Sequence, residues 1–156
     1  MSISTAAVEE FLDQKRLAVV GASDAKDSFG GTILRELRDH GYDVVAVNRR
    51  GGTVAGTPCY PTLAELPHAV DGVIVVVGRE AAVDVVRECI THAIPRVWLF
   101  KGIGTPGAAS DEAVRLCQDN HITGIPGACP LMFLEPVAMF HRVHRGVRRL
   151  RGAVAA

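Results

Sequence analysis

The sequence lacks the features that mark membrane, secreted and nucleic-acid-binding proteins. Its 156 residues contain no apolar run near the roughly 18 residues that span a bilayer, and the most apolar run, residues 73–77, has the length of a buried strand. No basic segment followed by an apolar one begins the chain, as it would in a secretory signal. Seventeen basic residues balance seventeen acidic ones. We therefore expect a cytoplasmic protein that binds no membrane and no nucleic acid.

Cysteine and histidine are too scattered to suggest a disulfide framework or a metal site. None of the four cysteines forms a Cys-x-x-Cys pair, and with 48% hydrophobic residues the chain can build a core without disulfides. His141 and His144 have helical spacing but no acidic or thiol neighbour, so we predict no metal. Cys129 has no identifiable base, and we interpret it as a structural thiol rather than a nucleophile.

Apolar strands alternate with amphipathic helices along the chain. Strands that are apolar throughout, with helices between them, indicate a parallel sheet covered on both faces. We predict one α/β domain over residues 1–156, a Rossmann-like, doubly wound parallel sheet of about five strands with helices on both faces. The predicted strands are residues 17–20, 43–48, 72–77, 96–100 and 121–125. The main predicted helices are residues 32–40, 81–93 and 110–120. Residues 49–61 are predicted to form a loop with room for one short extended piece.

The C-terminus carries a concentration of one charge. Residues 136–150 are predicted to form a basic helix with an apolar stripe that includes Phe140, Val143 and Leu150. The stripe could pack on the domain's own sheet. Alternatively, the helix could contact a second copy of the chain or an acidic protein partner, because clustered arginines without acids attract counter-charge.

Ligands of open parallel sheets bind at the carboxyl ends of the strands, where the strand order reverses. The first predicted strand ends at Gly21, and the following turn leads into a helix start whose N–H groups are free to bind an anion. We expect Gly21 to let the backbone approach a phosphate, so that a valine there would abolish binding with the fold largely kept. Ser23 adds a hydroxyl donor, and Gly30 and Gly31 are expected to bring the helix start close to the ligand. The alternative is a turn that only closes a βα unit, since Ser23 replaces the second glycine of the dinucleotide fingerprint.

The second predicted strand ends in Asn48, Arg49 and Arg50. Folds that bind NAD place an acidic residue there to bond the ribose diol, whereas arginines suit a phosphorylated ribose. Both the 2′-phosphate of NADP and the 3′-phosphate of coenzyme A fit this pattern. The alternative is a pair of solvated arginines. Two further segments, Val77-Gly78 and Phe100-Lys101, follow the third and fourth predicted strands at the same edge.

Longer stretches resemble a known family. The runs LAVVGASDAKDSFGGTILRELRDHGYDVVAVN, GTPCYPTLAELPHAVDGVIVVV and VWLFKGIG are similar to the coenzyme A-binding domain family over about residues 14–131. That family includes small stand-alone bacterial proteins and the N-terminal domains of succinyl-CoA synthetase α subunits and ADP-forming acyl-CoA synthetases. The most specific pieces are the GAS loop with FGG, the VN turn, the CYPTLAELP segment and the late GACP.

The resemblance implies a role for each candidate residue. Arg49 or Arg50 would meet the 3′-phosphate, although many members have VNP where this chain has Val47, Asn48 and Arg49. Lys101 stands where members often carry Gln or Glu. The pyrophosphate would be held by the turn after the first strand and the following helix start: Gly21, Ala22, Ser23 and Gly30, beside Phe29. The adenine and pantetheine would be bordered by the ends of the third and fourth strands: Val77, Gly78, Phe100 and Lys101.

We therefore expect a non-catalytic module that binds coenzyme A or acyl-CoA. The related synthetases need a phosphohistidine domain and a nucleotide-grasp partner, and neither is recognisable in this sequence. One alternative is an NADP-dependent oxidoreductase, although neither Tyr42 nor Tyr60 has a lysine at helical spacing. The other is an interaction protein with a vestigial nucleotide site and a working C-terminal helix.

Overall fold

A computed structural model describes residues 3–134. The predicted basic helix over residues 136–150, with both interpretations of its role, lies outside the described residues, as do His141 and His144. The helices of the described part are α1 (Thr5–Leu12), α2 (Phe29–Asp39), α3 (Arg79–Thr91) and α4 (Asp111–Asp119). The strands are β1 (Arg16–Val20), β2 (Asp43–Val47), β3 (Gly52–Val54), β4 (Thr57–Tyr60), β5 (Gly72–Val75), β6 (Arg96–Leu99) and β7 (Thr123–Pro126).

All seven strands form one sheet in the order β3-β4-β2-β1-β5-β6-β7. Every neighbouring pair is parallel except β3 and β4. Without the antiparallel edge strand β3, the order is that of the doubly wound Rossmann sheet, and it reverses between β1 and β5. The predicted fold class is confirmed, and β3 and β4 are additions to the five predicted strands.

The prediction for residues 49–61, a loop with room for one short extended piece, is only partly right, because two short strands, β3 and β4, form a hairpin there. Its turn has positive φ at both Ala55 (51°) and Gly56 (75°), the geometry that primed hairpin turns require. Arg38 of α2 donates a hydrogen bond to the Ala55 carbonyl, and Asp24 Oδ1 accepts the Ala55 N–H at 2.8 Å. Contacts distant in sequence therefore hold the hairpin.

Two apolar cores cover the two faces of the sheet. The α1/α2 face is filled around Phe11, Leu34 and Trp98, with the Phe11 and Trp98 rings edge to face at 5.4 Å. The α3/α4 face is filled around Val86 and Leu99. Burial of these side chains is the main favourable term for the fold. Nowhere in residues 3–134 is there a helix long and apolar enough to cross a membrane.

Helix α2 begins three residues before the predicted start. Ser28 is its N-cap, and the Ser28 Oγ accepts the Gly31 N–H at 3.0 Å. Phe29, Gly30 and Gly31 therefore form the first helical turn rather than the end of a loop. Gly41, with a φ of 91°, follows the end of the helix.

Candidate functional site

The four segments predicted to border a ligand lie at one edge of the sheet. They follow β2, β1, β5 and β6, which are neighbours in that order. Because these strands are parallel, their carboxyl ends share the edge, and the strand order reverses between β1 and β5.

Gly21 is required by the fold itself. Its φ is 95°, and a Cβ there would lie 2.1 Å from the Val76 carbonyl oxygen on the neighbouring strand connection. Its N–H donates to the Val47 carbonyl oxygen at 2.9 Å. The expectation that a valine would leave the fold largely intact is therefore wrong, since the side chain would push β1 and β5 apart.

Gly30 and Gly31 let α2 pack directly on the Gly21–Ser23 turn. A Cβ on Gly30 would lie 2.5 Å from the Gly21 carbonyl oxygen, and one on Gly31 would lie 2.2 Å from the Ser23 carbonyl oxygen. Any Cβ at these two positions would point at the backbone of the turn. Their effect is to place the first N–H groups of α2 beside that turn.

The N-terminus of α2 offers donors for an anion. Among residues 3–134, the N–H groups of Phe29 and Gly30 have no hydrogen-bond acceptor. Ser23 Oγ accepts the Ala25 N–H at 3.3 Å, which leaves its hydroxyl proton available for donation. Backbone donors at the positive end of a helix, with a serine hydroxyl nearby, suit a phosphate.

Asn48 joins the end of β2 to the turn after β1. Its Nδ2 donates to the Ala22 carbonyl oxygen at 2.7 Å. Its Oδ1 accepts the N–H groups of Arg50 and Gly51 at 2.9 Å and 3.0 Å. The side chain thus positions the two loops: Oδ1 accepts two N–H groups, while Nδ2 keeps a second hydrogen for donation.

Arg49 and Arg50 are exposed on the adjoining turn. Within the described range, neither guanidinium takes part in a salt bridge. Both remain available to a phosphate. No acidic residue occupies the position after β2 where a ribose diol would need one.

A cleft of about 370 Å³ opens at this edge on the α3/α4 face. Its lining includes four of the predicted site residues and nine further residues. The predicted ones are Gly21, Asn48, Arg49 and Val77. The additional ones are Val20, Val47, Pro61, Thr62, Leu63, Ala81, Asp84, Val85 and Glu88.

Some of the additional lining residues belong to a motif that is recognisable in the sequence. Pro61, Thr62 and Leu63 belong to the CYPTLAELP segment, which was identified as family-specific but given no place in the site. The charged Glu88 of α3 is partly buried, and its Oε2 accepts the Leu63 N–H at 3.2 Å. Periodicity alone could not show that this charged residue borders a cleft.

The other predicted residues lie outside the cleft. Phe29 is 47% exposed, and its ring lies 5.3 Å from that of the buried Phe100, on the α1/α2 face. Lys101 has an exposed side chain, and its N–H donates to the Ala128 carbonyl oxygen at 3.0 Å. Gly78 is the exposed N-cap of α3.

The cysteines have no arrangement suited to catalysis. Burial raises the pKa of the Cys89 thiol to about 12 and that of Cys117 to about 11. Burial also raises the pKa of Cys59. Cys129 is partly buried and packs against the α1/α2-side core. In the part of the chain that is described, no three His, Cys, Asp or Glu side chains are grouped as metal ligands.

Comparison with known proteins gives a consistent result. A family model described as a CoA binding domain matches residues 15–135. The chain is 31% identical to acetate–CoA ligase [ADP-forming] I of Archaeoglobus fulgidus over 137 residues, which are 85% of this chain but only 20% of the ligase. It is 28% identical to protein YneT of Bacillus subtilis over 127 residues, which are 81% of this chain and 90% of that protein.

The fold also has close structural neighbours. A hypothetical protein from Pyrococcus horikoshii OT3 superposes with a TM-score of 0.76 at 23% identity, covering 84% of this chain and 89% of its own. At that identity the likeness concerns the fold alone.

Proposed function

This chain belongs to the CoA-binding domain family, and we propose that it binds coenzyme A or an acyl-CoA at the carboxyl edge of its sheet without performing chemistry on it. The observation that carries the proposal is the cleft that joins the Gly21 turn to Asn48 and Arg49. The cleft lies beside the strand-order reversal, where ligands of doubly wound sheets bind.

The residues present fit the phosphates of coenzyme A. The free N–H groups at the start of α2 and the Ser23 hydroxyl would hold the pyrophosphate. Arg49 and Arg50, exposed and without acidic partners in residues 3–134, would hold the 3′-phosphate. Phe100 and Lys101, with Val77 and Gly78, would border the pantetheine and adenine as the family resemblance implies.

The environment of Tyr42 does not favour a reductase. The Tyr42 hydroxyl is buried and donates to the Leu12 carbonyl oxygen, and burial raises its pKa to about 12. A phenol held in this way is a poor proton donor at neutral pH. The cysteines are free thiols, which suits a reducing compartment, so we place this function in the cytoplasm.

The proposal is tested by calorimetric titration of the full chain with coenzyme A, dephospho-coenzyme A, NADPH and NADH. We expect coenzyme A to bind about ten-fold or more tightly than its dephospho form, because a charge-assisted hydrogen bond contributes roughly 1.5–3 kcal/mol. NADH should not bind. Arg49→Gln and Arg50→Gln should reduce the preference for the 3′-phosphate, whereas Arg115→Gln, at an exposed position on α4, should leave it unchanged.

Two results would contradict this assignment. Equal affinities for coenzyme A and dephospho-coenzyme A would remove the role of the arginines. Absence of coenzyme A binding, or tighter binding of NADPH, would overturn the proposed function itself.

A further inference from the structure

The cleft contains two carboxylates, and their surroundings differ. The Asp84 side chain is 76% exposed, and its Oδ1 accepts a hydrogen bond from Arg87 at 3.1 Å. Glu88 is partly buried, and its Oε2 is held by the Leu63 backbone N–H at 3.2 Å. Asp84 is therefore a solvated carboxylate paired with Arg87 at the surface, whereas the Glu88 carboxylate is held in place beside the cleft.

Only one of the two Glu88 oxygens has a partner. Within residues 3–134, Oε1 accepts no hydrogen bond, so it is free to accept one from a ligand. A carboxylate accepts hydrogen bonds and repels anions. The phosphates of a ligand must therefore lie away from Glu88, toward Arg49 and the start of α2, and the part of the ligand beside Glu88 must carry a donor.

The remaining walls restrict that part further. Most of the lining is aliphatic, and Val47, Leu63 and Val85 are themselves buried in the core. A largely aliphatic cleft with a carboxylate oxygen fixed at its wall, Glu88 Oε1, suits a flat heteroaromatic ring that carries an exocyclic amino group. Adenine has such a group at position 6.

We propose that Glu88 is the specificity-determining residue for the base: its Oε1 accepts a hydrogen bond from the 6-amino group of adenine, while the Leu63 N–H fixes the carboxylate through Oε2. This inference rests on the proposed function and adds the selection of an aminopurine to it. Neither Asn48 nor the arginines can make that selection, because Asn48 Oδ1 already accepts two N–H groups and a guanidinium has no acceptor.

Because the Leu63 N–H bonds to the Glu88 side chain, it fixes the orientation of a glutamine placed at this position. In Glu88→Gln, the amide oxygen must take the Leu63 N–H, since an amide nitrogen would place a donor against a donor. The amide nitrogen then faces the cleft. The variant retains the contact that holds the loop after β4, but it presents a donor to the base in place of an acceptor.

The test compares two probes that differ only in the 6-amino group, adenosine 3′,5′-bisphosphate and purine riboside 3′,5′-bisphosphate. Both are titrated into the full chain, and coenzyme A is titrated alongside. The wild-type protein should bind the adenosine compound about ten-fold or more tightly. Glu88→Gln should bring that ratio close to one. Glu80→Gln, an exposed carboxylate of the same helix outside the cleft, should keep the wild-type ratio.

The outcomes separate the two proposals. If coenzyme A binds and the ratio is the same in Glu88→Gln as in the wild-type protein, the role of Glu88 is overturned while the proposed function stands. If neither coenzyme A nor either bisphosphate binds, both proposals are overturned.

Discussion

The side-chain amide of Asn48 donates a 2.7 Å hydrogen bond to the carbonyl oxygen of Ala22. This bond joins the ends of β2 and β1, and the Oδ1 of the same side chain caps the turn that carries Arg49 and Arg50. One side chain thus sets the distance between the predicted pyrophosphate and 3′-phosphate sites.

Asn48→Asp should weaken coenzyme A binding about ten-fold or more. The carboxylate keeps the acceptor for the Arg50 and Gly51 N–H groups but cannot donate to Ala22, and it adds a negative charge beside the phosphates. Titration calorimetry measures the effect.

Asn120→Asp is the matched control. Asn120 also donates from Nδ2 to a backbone carbonyl oxygen, that of Leu116 at 2.9 Å, but at the exposed end of α4. It should leave coenzyme A affinity unchanged. An Asn48→Asp protein that binds coenzyme A like the wild type would contradict the linking role.

Gly30→Ala should destabilise the protein by roughly 1–3 kcal/mol, because its Cβ would lie 2.5 Å from the Gly21 carbonyl oxygen. Gly78→Ala is a suitable comparison, since this glycine also stands at a helix start but has no atom within 4 Å of the added Cβ. Its effect should stay below about 1 kcal/mol. Urea denaturation measures both, and equal losses would refute the packing argument.

The free energy of unfolding should fall as the pH rises from about 10 to 12. Burial, aided by the charge of Asp13, raises the pKa of Tyr42 from 10.0 to about 12. In that interval the unfolded chain releases a proton that the folded chain retains, which favours unfolding by up to roughly 2–3 kcal/mol. The raised pKa values of Cys89 and Cys117 also make the free energy of unfolding fall with rising pH, beginning near pH 9.

Tyr42→Phe isolates the tyrosine contribution. Denaturant titrations at pH 8 to 12 should show a shallower decline above pH 10 for this variant than for the wild-type protein. Parallel declines would mean that the phenol ionises equally in both states.

A thiol reagent at pH 8 should modify Cys129 before the other three cysteines. Cys129 is partly buried, whereas Cys59, Cys89 and Cys117 are buried with raised pKa values. Mass spectrometry of briefly labelled protein identifies the site, and Cys129→Ser should remove the fast phase. Fast labelling that survives in Cys129→Ser would show that one of the buried thiols becomes exposed in solution.

The main strands and helices could be predicted because each has a strong local signal. The β5 residues are fully apolar, and their neighbours in the sheet bury them on both faces. The hairpin of β3 and β4 has no such signal. Its strands are three and four residues long, and its turn is an Ala-Gly pair rather than the usual Asn-Gly. Its stability comes from Arg38 and Asp24, which are distant in sequence.

For the candidate site, the positions of residues at the sheet edge could be predicted, whereas the contacts they make could not. The positions of Gly21, Asn48 and Arg49 at the edge follow from the rule that ligands meet the carboxyl ends of parallel strands. Why glycine is needed at each position does not follow from that rule, because it depends on which backbone atom lies opposite the missing Cβ. The pairing of Glu88 with Leu63 spans 25 residues, and no local pattern indicates it.

The cleft and the Phe29–Phe100 pair lie on opposite faces of the sheet. A ligand that contacts both must cross over the ends of β1 and β5, so the thickness of one sheet sets its minimum length. The base of a mononucleotide in the cleft lies on the opposite face of the sheet from the Phe29 ring, whereas a long flexible arm can extend to that ring. The fold therefore distinguishes ligands by length as well as by charge. A ligand with a shortened arm would lose the contact with the Phe29–Phe100 pair and keep its phosphate contacts.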